Sequence, residues 1–270
     1  MTEQLNEKMV PKVSIGMPVY NGEKYIREAL DSLLAQTFTD FELIISDNCS
    51  TDDTSQICRE YAAKDSRIRY VRQDQNLGPG ANFEFVLQEA SGEFFMWAAH
   101  DDRWKNTCID RLVTLLMSDH KCGLVFSNYI VRNLETNVET YHKVRASETE
   151  SSACNFLLRV LNVRSSLVYG LYRTSLIRNT KFESFDLADV YFISELSIKT
   201  KIKIVDDYLY IAGTKGERIP YSLSGAKISR SPFLRKQYSL LIKYFKFPTN
   251  YFLFSFVCLF VAYNKIRLWK

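Results

Sequence analysis

Residues 94–104 read Phe-Phe-Met-Trp-Ala-Ala-His-Asp-Asp-Arg-Trp, an apolar and aromatic run that ends in two adjacent acids, Asp101 and Asp102. Such a run predicts a buried strand, and ligands bind beyond the carboxyl ends of the strands in a parallel sheet. Neighbouring carboxylates repel each other, so a divalent cation would stabilise the pair. Their oxygen atoms suit Mg²⁺ or Mn²⁺. Alternatively, one of the two acids caps a helix that begins near Thr107.

Three strand–helix units precede this stretch. Their strands are predicted at Val13–Met17, Phe41–Ser46 and Ile68–Val71. Strand and helix thus alternate four times in the first 120 residues, which is typical of an α/β fold with a parallel, Rossmann-like sheet flanked by helices. Polar residues follow three of the strands, at Pro18–Glu23, Asp47–Asp53 and Ala98–Asp102. Three polar loops on one sheet edge predict a ligand cleft.

The second half of the chain is less regular. A strand is predicted from Cys122 to Asn128, and the stretch from Ile130 to Tyr141 is either a hairpin or a polar excursion. Two short strands are predicted at Ile202–Val205 and Tyr208–Ile211. The segment from Gly213 to Ser231 is rich in Gly, Ser, Lys and Arg, and long loops of this kind often act as lids.

The tail, residues 233–270, differs in character from the rest of the chain. Its apolar run from Tyr251 to Tyr263 has 13 residues, and a helix that spans a membrane needs about 20. Basic residues flank the run, which predicts an amphipathic helix lying on an anionic membrane surface through residues 240–270. The alternative is a helix buried against the domain or against a second copy of the chain.

Composition excludes several classes of protein. The 270 residues carry a net charge of only +4, which falls short of the concentrated basic face of a nucleic-acid-binding protein. No two of the six cysteines have C-x-x-C spacing, so we expect reduced thiols in a cytoplasmic protein. The polar stretch Met1–Lys12 lacks the apolar core of a signal peptide. Gly16 and Gly22 do not form a G-x-G-x-x-G motif, which argues against a dinucleotide-dependent oxidoreductase.

Several motifs in the first half occur together in a specific order. They are Pro18–Glu23, Leu33–Phe38, Phe41–Thr54, Asn76–Asn82 and the acid pair before Trp104. This set resembles the family 2 inverting glycosyltransferases, which have the GT-A fold. The resemblance is strong from Val13 to about Ser118, weak to about Ile211 and absent in the tail. It implies a glycosyltransferase domain over residues 1–232, with a nucleotide-binding half at about 12–128 and an acceptor half at about 129–232, followed by the helical tail.

The resemblance implies a nucleotide-diphosphate-sugar donor and a divalent cation, Mn²⁺ or Mg²⁺. It assigns ten residues to the nucleotide site: Pro18, Val19, Tyr20, Asn21, Glu23, Asp47, Asn48, Asn76, Gly78 and Asp101. Asp47 would accept a hydrogen bond from the base. Asp101 and Asp102 correspond to the metal-binding acids. Many family members have a further acid two residues before Asp101, where this chain has Ala99, so phosphate and water would complete the metal shell. We expect His100 not to be a ligand.

Inverting transfer also requires a general base for the acceptor hydroxyl. The family uses a carboxylate at the start of a helix in the second half, and Asp189 has this context, although Ala188 stands where the family usually has an acid. Asp186 and Glu195 are alternative bases, and Asp189 could instead be a plain helix cap. The segment from Gly213 to Ser231 could close over the diphosphate or remain a solvated loop. The residues of this segment that could reach the diphosphate are Lys215, Arg218, Tyr221 and Ser222.

The expected function is therefore transfer of a sugar from a nucleotide-diphosphate sugar to a hydroxyl group. The resemblance favours UDP over dTDP or GDP. The tail favours a lipid-linked or glycan acceptor in bacterial surface polysaccharide synthesis, on the cytoplasmic face of the membrane. The alternative is a nucleotide- or glycan-binding module without catalysis, which the departures at Ala99 and Ala188 support.

Overall fold

One mixed sheet forms the centre of the molecule. The computed structural model describes residues 10–144, 165–180 and 188–214, and these residues form nine strands in a single sheet. The strands are β1 (Val13–Val19), β2 (Phe41–Asp47), β3 (Ile68–Arg72), β4 (Phe94–Trp97), β5 (Arg103–Trp104), β6 (Cys122–Asn133), β7 (Glu139–His142), β8 (Leu171–Arg173) and β9 (Lys201–Thr214). Their order is β3-β2-β1-β4-β8-β6-β9-β5, and β7 pairs with β6.

Helices cover this sheet. They are α1 (Ile26–Leu34), α2 (Thr54–Lys64), α3 (Pro79–Gln88), α4 (Cys108–Met117), α5 (Thr174–Ile177) and α6 (Ala188–Lys199), with a 3-10 helix at Ser165–Tyr169. The predicted alternation of strand and helix is confirmed over the first 120 residues. In α1, the apolar residues Ile26, Leu30 and Leu33 recur at helical spacing and are fully buried, so the hydrophobic effect fixes the helix on the sheet.

The first four strands are parallel, as predicted. β1 pairs with β2 on one side and with β4 on the other, and β2 pairs with β3. All seven residues of β1 and all four of β4 are buried, which is expected of strands covered by helices on both faces. The carboxyl ends of these strands therefore lie on one edge of the sheet.

The strands of the second half extend past this edge. β8 is antiparallel to β4, with Leu171 opposite Met96, and β6 is antiparallel to β8, with Val125 opposite Leu171. β6 therefore runs in the direction of β4 and continues eight residues beyond Val125, to Asn133. β9 follows β6 in parallel, and β5 pairs with the end of β9. This topology brings β9 next to the acid pair.

Two predictions about strands were wrong in detail. We expected the first strand to end at Met17, directly before Pro18, but β1 continues to Val19. The ladder to β4 ends at Gly16, so the missing N–H of Pro18 is not needed there. The two short strands predicted after residue 201 form one strand of 14 residues, whose irregular pairing with β6 accommodates the polar residues between them.

The hairpin interpretation of the stretch after β6 is confirmed, since β6 and β7 pair antiparallel from Tyr129–His142 to Arg132–Glu139. The proposed lid beyond Thr214 and the tail at 233–270 lie outside the described residues. Within the described part of the chain, none of the helices has the length and apolar character needed to cross a membrane.

Candidate functional site

The loops after β2 and β3 are joined through the side chain of Asn48. Its amide nitrogen donates to the side-chain oxygen of Asn76 (2.9 Å) and to the carbonyl of Gly78 (3.2 Å), and its oxygen accepts the N–H of Leu77 (2.8 Å). Asn48 is almost fully buried, at 2% exposure. These three side-chain hydrogen bonds therefore shape the loop that carries Asn76 and Gly78, two predicted nucleotide contacts.

The loop after β1 is fixed to the same region. The backbone N–H of Asn48 donates to the carbonyl of Val19 (2.8 Å). The side-chain oxygen of Asn21 accepts the N–H of Thr51 (2.8 Å), and a carboxylate oxygen of Glu23 accepts the N–H of Asp53 (2.9 Å). Glu23 is thus held at the start of α2, whereas Tyr20 is 44% exposed and available for stacking against a planar group.

Asp47, the predicted base-binding acid, lies at the centre of a polar cluster. Its Oδ1 accepts the N–H of Ser50 (2.8 Å), and its Oδ2 accepts the hydroxyl of Tyr70 (2.8 Å) and an N–H of Arg72 (2.9 Å). The side chain has no exposed surface. Burial, together with the hydrogen bond to Asp47, raises the pKa of Tyr70. Asp47 therefore organises Arg72, which is one-third exposed and which the sequence analysis missed.

A polar cavity of about 580 Å³ opens beside this cluster. Its lining residues come from the loop after β2, from α2 and from the end of β3: Ser50, Thr51, Asp52, Asp53, Ser55, Gln56, Arg59 and Arg72. The guanidinium of Arg72 thus links the buried Asp47 to an open polar surface.

The two adjacent acids have different surroundings. Asp102 is 2% exposed. It accepts the hydroxyl of Tyr210 at one oxygen and the N–H of Gly213 (2.8 Å) at the other. Asp101 is half-buried, and its backbone carbonyl packs so closely on Gly213 that a Cβ there would lie 2.1 Å from the carbonyl oxygen. Asp102 is tied to β9, and Asp101 is the more accessible acid.

The interpretation of this pair as a helix cap is wrong. The strand β5 lies between the acids and α4, and α4 begins at Cys108, with Thr107 at the cap position. Both oxygens of Asp102 accept hydrogen bonds from β9 instead. The neighbouring His100 is half-buried and packs on Gly22, where a Cβ would lie 2.8 Å from the imidazole Cδ2. The acid loop and the loop after β1 are therefore in contact.

The donor set at the acid pair fits a cation that is shared with a diphosphate. In residues 10–144, 165–180 and 188–214, no three His, Cys, Asp or Glu side chains are grouped so that they could hold a metal ion. Asp101 and Asp102 supply hard oxygen atoms, and Mg²⁺ usually takes only one or two carboxylates and completes its shell with phosphate and water. These residues suit such a shared site better than a cage formed by protein alone.

The structure places Asp189 in the first turn of α6, as the sequence predicted. Phe192, one turn later, packs edge-on against Trp97 at the end of β4 (ring centroids 5.8 Å apart). Burial raises the pKa of Tyr172 well above its usual value, and the negative charge of Asp189 contributes. Asp189 therefore lies beside the aromatic cluster that precedes the acid loop. Asp186 lies outside the described residues, and Glu195 pairs with Lys199 (2.9 Å).

Tyr210 and Gly213 are the other site residues that the sequence analysis missed. We had placed Tyr210 in an ordinary strand and Gly213 at the start of a lid. Their role depends on the pairing of β9 with β5, a contact between residues more than one hundred positions apart in sequence. Nothing in the local pattern indicates this contact.

A parallel half-sheet with polar loops at its carboxyl edge and an acid pair beside them defines an α/β protein with a ligand cleft at that edge. The model of the family described as "Glycosyl transferase family 2" matches residues 14–185, which is more than half of the chain. The chain belongs to this family, and the predicted resemblance is confirmed.

Two relatives come from bacteria. TuaG of Bacillus subtilis (strain 168), whose name proposes a role as a glycosyltransferase in teichuronic acid biosynthesis, is 33% identical over 119 residues, which cover 44% of this chain and 47% of TuaG. The GalNAc(5)-diNAcBac-PP-undecaprenol beta-1,3-glucosyltransferase of Campylobacter jejuni is 29% identical over 176 residues, which cover 64% of this chain and 55% of that protein. The chain thus spans about half the length of each.

Two solved structures share the fold. TarS of S. aureus, residues 1–349 in complex with UDP, superimposes with a TM-score of 0.65 at 22% identity and covers 86% of this chain and 66% of that chain. The mannosyltransferase PcManGT of Pyrobaculum calidifontis, in complex with GDP-Man and Mn²⁺, gives a TM-score of 0.55 at 17% identity over 88% and 64% of the two chains. These likenesses confirm the predicted GT-A fold.

Proposed function

We propose that this protein transfers a sugar, with inversion, from a nucleotide-diphosphate sugar to a hydroxyl group of an acceptor. The observation that carries this proposal is the convergence of the four loops after β1, β2, β3 and β4 on one sheet edge. Asn48 contacts Val19 and Asn76, and Gly22 contacts His100. The packing of an apolar core does not require these polar residues at the ends of its strands. The UDP bound to TarS supports a uridine nucleotide as the donor group.

In this proposal the chain's own residues divide the work. Tyr20 offers an exposed ring to the base, and Arg72, which the buried Asp47 holds in place, offers N–H groups to its edge. Asp101 and Asp102 would hold a divalent cation, which neutralises charge on the leaving diphosphate. Asp189 takes the proton of the acceptor hydroxyl as general base.

The acceptor is proposed to be a glycan or a lipid-linked saccharide. The relative from Campylobacter jejuni acts, by its name, on a substrate linked to undecaprenol through diphosphate. A cytoplasmic enzyme that contacts the inner face of the membrane through residues 240–270 would reach such an acceptor. The tail could instead mediate contact between two copies of the chain.

A screen of UDP-, dTDP- and GDP-sugars tests the proposal. The full chain should hydrolyse one of these donors slowly without an acceptor, and EDTA should abolish the activity while added Mn²⁺ or Mg²⁺ should restore it. Hydrolysis that is unaffected by EDTA would contradict the metal assignment. Binding of a nucleotide without any turnover, even when acceptor saccharides are added, would overturn the transferase assignment.

That last outcome would favour a second candidate, a nucleotide- or glycan-binding module that has lost catalysis. The observation in its favour is the absence of acids at Ala99 and Ala188, where relatives in the family usually carry them. Isothermal titration separates the two, since a binding module would take up the nucleotide equally well with and without a divalent cation.

A further inference from the structure

The polar cavity of about 580 Å³ beside the loop after β2 lies within the range of about 300–1,000 Å³ that is usual for small-molecule sites. Its lining contains two guanidinium groups, those of Arg59 on α2 and Arg72 at the end of β3. Ser55, one helical turn before Arg59, lines the same cavity, so one face of α2 is turned toward the opening. The function proposed above uses Arg72 but gives Arg59 no role.

The side chain of Tyr70 connects the two guanidinium groups. That of Arg59 lies over the ring of Tyr70, 5.8 Å from its centroid. The hydroxyl of Tyr70 donates to Oδ2 of Asp47 (2.8 Å), the same oxygen that accepts an N–H of Arg72 (2.9 Å). Arg59 is exposed, and its attraction to the face of the ring does not require a hydrogen bond from its N–H groups. Both arginines therefore lie along one tyrosine side chain, at the wall of one cavity.

Ser50 connects the cavity to the predicted nucleotide residues. Its hydroxyl accepts the N–H of Asn21 (2.9 Å), the residue that follows the exposed Tyr20. Its own N–H donates to Asp47 (2.8 Å), and its carbonyl accepts an N–H of Arg72 (2.8 Å). Since Ser50 also lines the cavity, only this residue separates the cavity from the loop after β1.

The charges around the cavity favour a neutral ligand over a phosphate. Asp52 and Asp53 share the lining with the two arginines, and the buried Asp47 pairs with Arg72. These three acids outnumber the two arginines, so the wall is not a site for an anion. The N–H groups of arginine donate hydrogen bonds and do not accept them. The lining therefore suits a neutral group with carbonyl oxygens, such as the edge of a base.

From this arrangement we infer that Arg59 is a specificity-determining residue, which selects a base with a carbonyl group over a base with an amino group at the same position. Arg59 and Arg72 donate to the carbonyl oxygen that uracil carries at its position 4. Cytosine has an amino group there, whose N–H groups would meet those of the arginines and leave donors without acceptors. The inference rests on the proposed function, because it takes the ligand to be the nucleotide of the sugar donor.

Isothermal titration of UDP and CDP into the full chain, with Mg²⁺ present, tests the inference. The wild type should bind UDP about tenfold more tightly than CDP, as expected when a mismatched edge leaves donors unpaired. Arg59→Gln should weaken UDP binding by about tenfold and keep CDP binding within about twofold of the wild type, so that most of the preference is lost. IDP and ADP, which differ in the same way at position 6 of a purine, form a second pair for a chain that takes a purine.

Arg27→Gln is the matched control. Arg27 is also an exposed arginine over a tyrosine ring, that of Tyr61 (6.0 Å), but it does not line the cavity. Its substitution should leave both affinities unchanged, and the melting temperatures of the two variants should match.

UDP affinity in Arg59→Gln equal to that of the wild type would overturn the inference and leave the proposed function standing. Equal losses for UDP and CDP in this variant would also overturn it, because Arg59 would then act on a part that both nucleotides share. A wild type that binds none of the four diphosphates would overturn the proposed function itself.

Discussion

The guanidinium of Arg72 lies 2.9 Å from the carboxylate of Asp47, an acid with no exposed surface. A second N–H of the same guanidinium donates to the carbonyl of Ser50 (2.8 Å). Arg72 is therefore held by one partner at the end of β2 and one on the loop that follows, while one-third of its side chain remains exposed. Since a guanidinium only donates hydrogen bonds, this geometry favours a base with carbonyl oxygens at its edge.

We expect Asp47→Asn to impair both stability and nucleotide binding. The substitution keeps the size of the side chain but places an N–H group opposite one of three donors, Ser50, Tyr70 or Arg72. A buried donor left without an acceptor destabilises a protein by about 1–3 kcal/mol, so urea unfolding should show a loss of about that size. Titration with UDP should show at least a tenfold weaker affinity.

Asp74→Asn is the matched control, because Asp74 is an exposed acid in the following loop. It should leave both the free energy of unfolding and the UDP affinity unchanged. UDP affinity equal to that of the wild type in Asp47→Asn would exclude Asp47 from the nucleotide site and leave it a structural role only.

Asp189→Asn should stop sugar transfer without loss of donor binding. The substitution removes the basic carboxylate but keeps its shape, and a general base typically contributes about 10²–10⁴-fold to the rate. The donor affinity, measured by titration, should stay within about twofold because the proposal assigns Asp189 to the acceptor hydroxyl and not to the nucleotide.

Glu195→Gln tests whether Glu195, the other acid of α6, is the general base instead of Asp189. Glu195 forms an i,i+4 pair with Lys199, which contributes only about 0.3–0.5 kcal/mol on a surface. Its substitution should leave transfer unchanged. Normal transfer by Asp189→Asn together with loss in Glu195→Gln would reverse the assignment of the base.

The sequence was sufficient to predict the first half of the fold. Buried runs such as Phe94–Trp97 and the helical spacing in α1 are local signals of the hydrophobic effect. The parallel arrangement then follows from the alternation of strand and helix. The same signals placed Asp47 and the acid pair at strand ends, because an acid directly after a buried run must either reach solvent or accept hydrogen bonds from buried partners.

The partners of these acids could not be predicted in the same way. Asp102 meets Tyr210 and Gly213 through a pairing of β5 with β9 that joins distant parts of the chain. β5 has only two residues, too few for a periodic pattern. Likewise, the link between Asp47 and Arg72 depends on the register of β2 and β3, and strand register is set by packing rather than by local sequence.

Acid should weaken the fold through Glu42, on the opposite edge of the sheet from the candidate site. Glu42 accepts hydrogen bonds from the hydroxyl of Ser14 (2.6 Å) and from the N–H (2.9 Å) and hydroxyl (2.6 Å) of Ser91. Burial alone would raise the pKa of Glu42, but these hydrogen bonds outweigh it and lower the pKa. A carboxyl group whose pKa is lower in the folded state than in the unfolded state stabilises the fold at pH values above its unfolded pKa, which is about 4.3 for Glu.

This stabilisation should be lost as the pH falls through the lower, folded pKa of Glu42. Glu42→Gln should therefore be less stable than the wild type at pH 7, and the difference should shrink below about pH 4.3. Urea unfolding across this range measures it. Glu135→Gln, at an exposed turn, should show no such dependence. A constant difference at all pH values would show that Glu42 acts through shape and not through charge.

Three of the four thiols in the first half of the chain should differ widely in reactivity. Burial raises the pKa of Cys108 to about 12, and burial with a contribution from Asp47 raises that of Cys58 to about 12. Only about 10⁻⁴ of each would be thiolate at pH 8, and the thiolate is the reactive form. Cys49 is partly exposed on the loop after β2. Timed labelling with N-ethylmaleimide and peptide mass spectrometry should therefore find Cys49 modified first, with Cys58 and Cys108 modified only in urea.

If UDP slows the labelling of Cys49 in the wild type, the nucleotide binds beside Asp47. Labelling of Cys108 in the native protein as fast as Cys49 would contradict the packing of α4 on the sheet.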